Sequence, residues 1–122
     1  IVDIIPTPGH TMGCISLLDR NTKLLFSGDT FCRDGVLLVF GESGTVKTFA
    51  ETLDNIRAMV AEGRVVDIYP SHKEVPVDLK VLEYYRRACD MILSGTADEQ
   101  SMKKGCVHIE GTFIRFLPKK VR

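Results

Sequence analysis

The chain has 122 residues, 44% hydrophobic and 26% charged, the length and composition of one globular domain with a modest core. Its 16 basic residues balance its 16 acidic ones, so no charge footprint points to nucleic acid or to an anionic membrane surface. The longest apolar runs, such as Val36 to Phe40, fall far short of a bilayer span.

In chain order, Ile1 to Ile5 predicts a buried strand that stops at Pro6. Thr7-Pro8-Gly9 is a turn, because proline fixes one backbone angle and glycine frees the next. Cys14 to Leu18 and Lys23 to Ser27 predict two strands joined by the turn Asp19 to Thr22, hence a hairpin. Val36 to Phe40 is either a short strand or a loop packed on the core, and Gly41 to Gly44 is flexible.

A helix is expected from Thr45 or Thr48 to Glu62. Phe49, Leu53, Ile56 and Val60 draw its apolar face, Thr48 and Glu51 form a capping box, and Gly63 supplies a left-handed end. Val65 to Tyr69 predicts a strand, and Pro76 to Leu93 a second helix with Leu79, Leu82, Arg86, Cys89 and Leu93 on one face. Thr96 to Lys104 is polar and is expected to be a mobile loop. Cys106 to Ile109 and Thr112 to Leu117 predict two short strands, followed by a solvated basic tail from Pro118 to Arg122.

Strands first, then strand and helix alternating, predict an α/β fold: a mixed sheet with helices on one face, in a single domain over residues 1–122. The strands Ile1 to Ile5 and Val65 to Tyr69 are apolar on both faces, so the face away from the helices needs a cover that this chain does not supply. The chain also opens inside an apolar run without a methionine, which reads as a piece of a longer chain. The four cysteines, Cys14, Cys32, Cys89 and Cys106, include no C-x-x-C pair. They read as buried or half-buried free thiols, and the expected compartment is the cytoplasm.

Chemistry concentrates at three strand ends. His10, Asp29 and His72 each follow an apolar run, and imidazole and carboxylate are the donors a borderline metal such as zinc accepts. His108 alternates with Val107 and Ile109 and reads as a sheet-face residue. Arg33 reads as a solvated loop charge or as a contact for an anionic substrate group, and the pair Tyr84-Tyr85 reads as packing.

Thr7-Pro8-Gly9-His10-Thr11, then Gly28-Asp29, then Pro70-Ser71-His72 resemble the C-terminal half of the metallo-β-lactamase superfamily. The resemblance runs from Ile1 to His72 by motif and to the end of the chain by layout. The HxHxDH motif carried by the first half of that family is absent. Cys14 stands where the family tends to have a small residue, usually serine, and Lys73-Glu74-Val75-Pro76 stands where many relatives place a glycine after the last histidine.

The resemblance implies half of an αββα sandwich and a hydrolase of esters, thioesters, lactams or phosphoesters. It implies two zinc ions, or other divalent metals, in the complete protein. By the resemblance His10 binds the first metal, His72 the second, and Asp29 bridges both, while the missing N-terminal half contributes the other ligands. Thr11 supports His10 from behind. The pair of metals brings the pKa of a bridging water towards neutrality, so no protein nucleophile is needed. The implied partners are the N-terminal half of the domain and a small-molecule substrate, with no nucleic acid and no membrane. The alternative is a non-catalytic half-domain that forms a homodimer or binds a partner through its uncovered sheet face.

Overall fold

The computed structural model describes residues 1–122. The first sheet is built from β1 (Val2–Pro6), β2 (Ile15–Asp19), β3 (Leu24–Gly28) and β5 (Asp67–Pro70), in the spatial order β1-β2-β3-β5. β1, β2 and β3 run antiparallel in turn, as the Asp19 to Thr22 turn predicts, and β5 joins β3 in parallel. β4 (Gly35–Leu38), β6 (Cys106–Ile109) and β7 (Thr112–Phe116) form a separate sheet of order β4-β7-β6, parallel between β4 and β7 and antiparallel between β7 and β6. The fold is therefore α/β with mixed sheets and helices, as expected for half of a metallo-β-lactamase-type sandwich. One sheet was expected where two form, because the pairing of β4 with β7, Gly35 against Phe113, joins segments far apart in the chain and leaves no local trace in β4.

Register explains the split between the two faces of the first sheet. Leu18, Leu25 and Ile68 lie side by side across β2, β3 and β5, and all three are buried. The next row, Ile4, Leu17, Phe26 and Tyr69, points the other way because successive strand residues alternate sides. Of these, Leu17 is 39% exposed, Phe26 45% and Ile4 67%. Val2 and Ile15 widen the same apolar face.

The inward faces and the helices share one core. α1 (Val46–Ala61) buries Val46, Phe49, Leu53, Ile56 and Met59, and α2 (Lys80–Ser94) buries Val81, Leu82, Tyr85, Ala88, Cys89 and Ile92. The two helices pack on each other, and α2 lies against β6 and β7. The α1 cap differs from the expected capping box. Thr45, in extended backbone, accepts the amide of Thr48, and Glu51 plays no part. α2 begins at Lys80 rather than Pro76, since Val77 has its amide on the Ile68 carbonyl and Asp78 turns the chain into the helix.

Two polar segments expected to be loose are ordered. Thr96 to Lys104 contains α3 (Glu99–Lys104), capped by the Asp98 carboxylate on Ser101 and closed by Gly105 in the left-handed region. The basic tail docks. Lys120 Nζ donates to the carbonyls of Ser43 (2.6 Å) and Gly41 (3.3 Å), Arg122 donates to the Leu93 carbonyl, and the Val121 carbonyl accepts from Lys47. All four cysteines are free thiols, with Cys32 and Cys89 buried. No helix is long and apolar enough to cross a membrane.

Candidate metal centre

β1, β3 and β5 all run in the same direction, so their C-terminal ends emerge along one sheet edge. His10 lies in the β1–β2 loop, Asp29 directly follows β3, and His72 follows β5 by two residues. Sequence order alone leaves them far apart, and strand direction brings them to one rim. All three line one cavity of about 520 Å³, whose opposite wall comes from the second sheet through Gly35, Val36, Leu37 and Phe113.

The β1–β2 loop is held from several sides. The Thr7 amide donates to Cys14, the Gly44 amide to the Gly9 carbonyl, and Thr52 Oγ1 to the Pro8 carbonyl at 2.7 Å. Ser43 Oγ donates to the His10 carbonyl at 2.7 Å, and Lys120 in turn holds the Ser43 carbonyl. Gly9 is required for contact reasons, since a Cβ there would meet Phe49 Cδ1 at 2.6 Å. The proline and glycine thus let the loop lie flat on α1 while it presents His10 to the cavity.

His10 Nδ1 lies 2.8 Å from the Leu37 carbonyl. A carbonyl only accepts, so Nδ1 carries a proton, and in the neutral ring the lone pair lies on Nε2. This is the arrangement a metal-binding imidazole uses: one nitrogen held by a backbone carbonyl, the other presented as donor. The Phe40 ring stands edge-on to the imidazole at 5.7 Å between centroids and restricts its rotation further. Thr11, expected behind His10, has its hydroxyl 3.2 Å from Cys14 Sγ. The support for His10 observed here comes from Leu37 on β4, a backbone group that no side-chain motif encodes.

Asp29 and His72 meet directly. Asp29 Oδ1 lies 3.3 Å from His72 Nε2, and both side chains are more than half exposed. Their loops are tied by the Ser71 amide, which donates to the Gly28 carbonyl at 2.7 Å. Gly28 takes a left-handed φ of 60°, which turns the chain out of β3 so that Asp29 faces the rim. Ser27 Oγ closes the turn on the Thr30 carbonyl.

Three further residues border the cavity. Cys32 Sγ donates to the Asp29 carbonyl at 3.6 Å, and burial foremost pushes its thiol pKa up. Lys73 Nζ pairs with Asp34 at 3.3 Å. Tyr85 Oη donates to the Cys32 carbonyl at 2.6 Å from the core side, so α2 fixes the floor of the site, as the packing reading of that residue requires. Arg33 is committed elsewhere. Its guanidinium donates to Thr112 Oγ1 and to the Glu110 carbonyl and lies over the Tyr84 ring, which makes it a clamp between the rim and the β6–β7 turn.

The donor set suits a borderline divalent metal by type: two imidazoles and one carboxylate, one imidazole in a fixed tautomer. It suits one only as part of a larger set. No three His, Cys, Asp or Glu side chains of this chain come close enough to enclose an ion.

No protein-family profile matches the chain. It is similar to the acyl-coenzyme A thioesterases MBLAC2 of Bos taurus and Homo sapiens, 32% identical over 69 residues, which is 57% of this chain and 24% of each relative. It is also similar to the probable metallo-hydrolase MJ0888 of Methanocaldococcus jannaschii, 32% identical over 74 residues, which is 61% of this chain and 35% of that protein. The chain thus spans well under half the length of the curated relatives it matches, and these similarities support a relation to the metallo-β-lactamase superfamily.

Proposed function

We propose that this chain is the C-terminal half of a metal-dependent hydrolase domain. In it His10, Asp29 and His72 would be the residues of this chain that hold the metal ions, His10 and His72 serving different ones. The remaining ligands come from an N-terminal half, which also covers the apolar face of the first sheet. The observation that carries this reading is the convergence of the three strand ends on one cavity with His10 Nε2 left as a free donor. Zinc is the ion these donors favour, and bound there it supplies Lewis acidity and an activated water.

The chain's own residues then orient the chemistry. Leu37 holds the His10 ring, the Gly28–Ser71 hydrogen bond keeps Asp29 beside His72, and Val36, Leu37, Phe40 and Phe113 give one wall apolar contact for substrate. A thioester is the substrate class we favour within the ester, thioester, lactam and phosphoester range, because relatives are named as acyl-coenzyme A thioesterases. Four free thiols suit a reducing cytoplasm.

Zinc titration tests the reading. The chain by itself is expected to bind no pair of ions tightly, and to do so when combined with the N-terminal half. Two tight ions on this chain alone overturn the half-site. In the completed protein, His10→Ala and Asp29→Asn are expected to lower thioester hydrolysis by at least about a hundredfold, the upper range for loss of a group that merely supports a ligand.

A second reading rests on the row Ile4, Leu17 and Phe26: two copies related by a two-fold axis cover each other's sheet face, and the domain is not catalytic. Sedimentation tests this second reading: a discrete two-fold dimer is expected, and a monomer at high concentration counts against it.

A further inference from the structure

Independently of the metal centre, the outer face of the second sheet carries a thiol in a basic cleft. Cys106 and His108 are two apart on β6, so their side chains share a face, and Cys106 Sγ lies 3.9 Å from His108 Nδ1. Arg115 on β7 is the direct cross-strand partner of Cys106 and points the same way. Lys104, at the end of α3, completes the rim, and these four residues with Gln100 and Ser101 line a cleft of about 520 Å³.

The cations of Lys104 and Arg115 have no carboxylate within ion-pair distance, in contrast to Lys103, which pairs with Glu99 at 3.1 Å. Asp98, the cap of α3, is turned to Ser101. The cleft therefore offers a half-exposed thiol, a base in contact with it and two unneutralised cations, on an edge strand of a three-stranded sheet.

We propose that Cys106 is a modification site that exchanges with small disulfides bearing carboxylates. Lys104 and Arg115 hold the carboxylates. His108 Nδ1 takes the thiol proton as Cys106 Sγ attacks one sulfur of the disulfide. A new bond forms from Sγ to that sulfur, the original S–S bond breaks, and the other sulfur leaves as a thiolate with the bonding pair. Cys106 is oxidised and half of the disulfide is reduced to a thiol. The other half-exposed thiol, Cys14, has Thr11 Oγ1 at 3.2 Å in place of an imidazole and serves as the internal comparison, while buried Cys32 and Cys89 report on folding.

The test treats the full chain with dithiobis(nitrobenzoate), a dianionic disulfide, and with dithiodipyridine, a neutral one, and reads labelling at each cysteine by mass spectrometry. With the dianionic reagent, Cys106 is expected to react about tenfold faster than Cys14, the order of gain that two nearby cations give at a partly exposed site. Raising the salt to about 0.5 M is expected to remove most of that advantage. Lys104→Gln with Arg115→Gln is expected to slow the dianionic reagent several-fold and to leave the neutral one nearly unchanged, whereas His108→Gln slows both. Equal rates at Cys14 and Cys106 in the unaltered chain overturn the proposal. So does a salt-independent rate, or a loss of charge that slows the two reagents alike.

Discussion

Tyr85 joins the core to the site in a single hydrogen bond. Its hydroxyl is fully buried and donates to the Cys32 carbonyl at 2.6 Å. Tyr85→Phe leaves that buried carbonyl without this donor and is expected to cost about 1–3 kcal/mol in urea unfolding, the penalty of one unsatisfied buried group. Burial also governs the thiols behind the site. Cys89 is pushed up from an ordinary value of 9.0 to about 12, and burial likewise raises Cys32 and Tyr85. Above pH 9.0 the unfolded chain loses the Cys89 proton while the folded chain keeps it. The unfolded state then binds fewer protons, so stability is fully present below pH 9.0 and falls as pH rises towards about 12. Denaturation midpoints measured under reducing conditions across that window should fall steadily, and Cys89→Ala should make the fall shallower.

At the scale of elements, caps decide where helices start. Thr45 accepts the Thr48 amide at 3.1 Å, so Thr45→Ala is expected to cost about 1 kcal/mol by thermal or chemical unfolding, whereas Glu51→Ala should leave stability within about 0.5 kcal/mol. The two long helices were legible from apolar spacing, because a helix buried on one side writes its period into the sequence. The stripe on α2 was legible only in part. Leu82 and Cys89 are core residues, but the buried face turns towards Tyr85, Ala88 and Ile92 and leaves Arg86 at its edge, in ion pairs with Asp54 and Asp90. The short α3 escaped notice because it buries nothing and so carries no apolar period. Its signals are electrostatic: Asp98 and Glu99 at the start, Lys103 and Lys104 at the end, Gly105 after it.

At the scale of the whole molecule, the first sheet is finished on one side only. Ile4, Leu17 and Phe26 present a continuous apolar row to solvent, with a hollow of about 460 Å³ beside it lined by Ile15, Leu17, Phe26, Tyr69 and Pro70. The chain by itself is expected to bind hydrophobic dyes and to self-associate as concentration rises. Phe26→Lys should reduce both while changing stability by less than about 0.5 kcal/mol, since the side chain points away from the core. Dye fluorescence and sedimentation measure the two effects. Unchanged association in Phe26→Lys would mean that another surface is responsible.

The sequence by itself determined the strands other than β4, the two long helices, the turn at Thr7-Pro8-Gly9 and the choice of His10, Asp29 and His72 as candidates, because periodicity, turn chemistry and donor type are local properties. Tertiary structure decided what surrounds those residues. The common direction of β1, β3 and β5 carries the three candidates to one rim. The Leu37 carbonyl, 27 residues from His10, sets its tautomer. The Lys120 ammonium, from a tail expected to be solvated, holds the loop that holds His10. Backbone carbonyls look alike at every position of a sequence, and only the folded chain selects which of them meet a ring nitrogen or an ammonium.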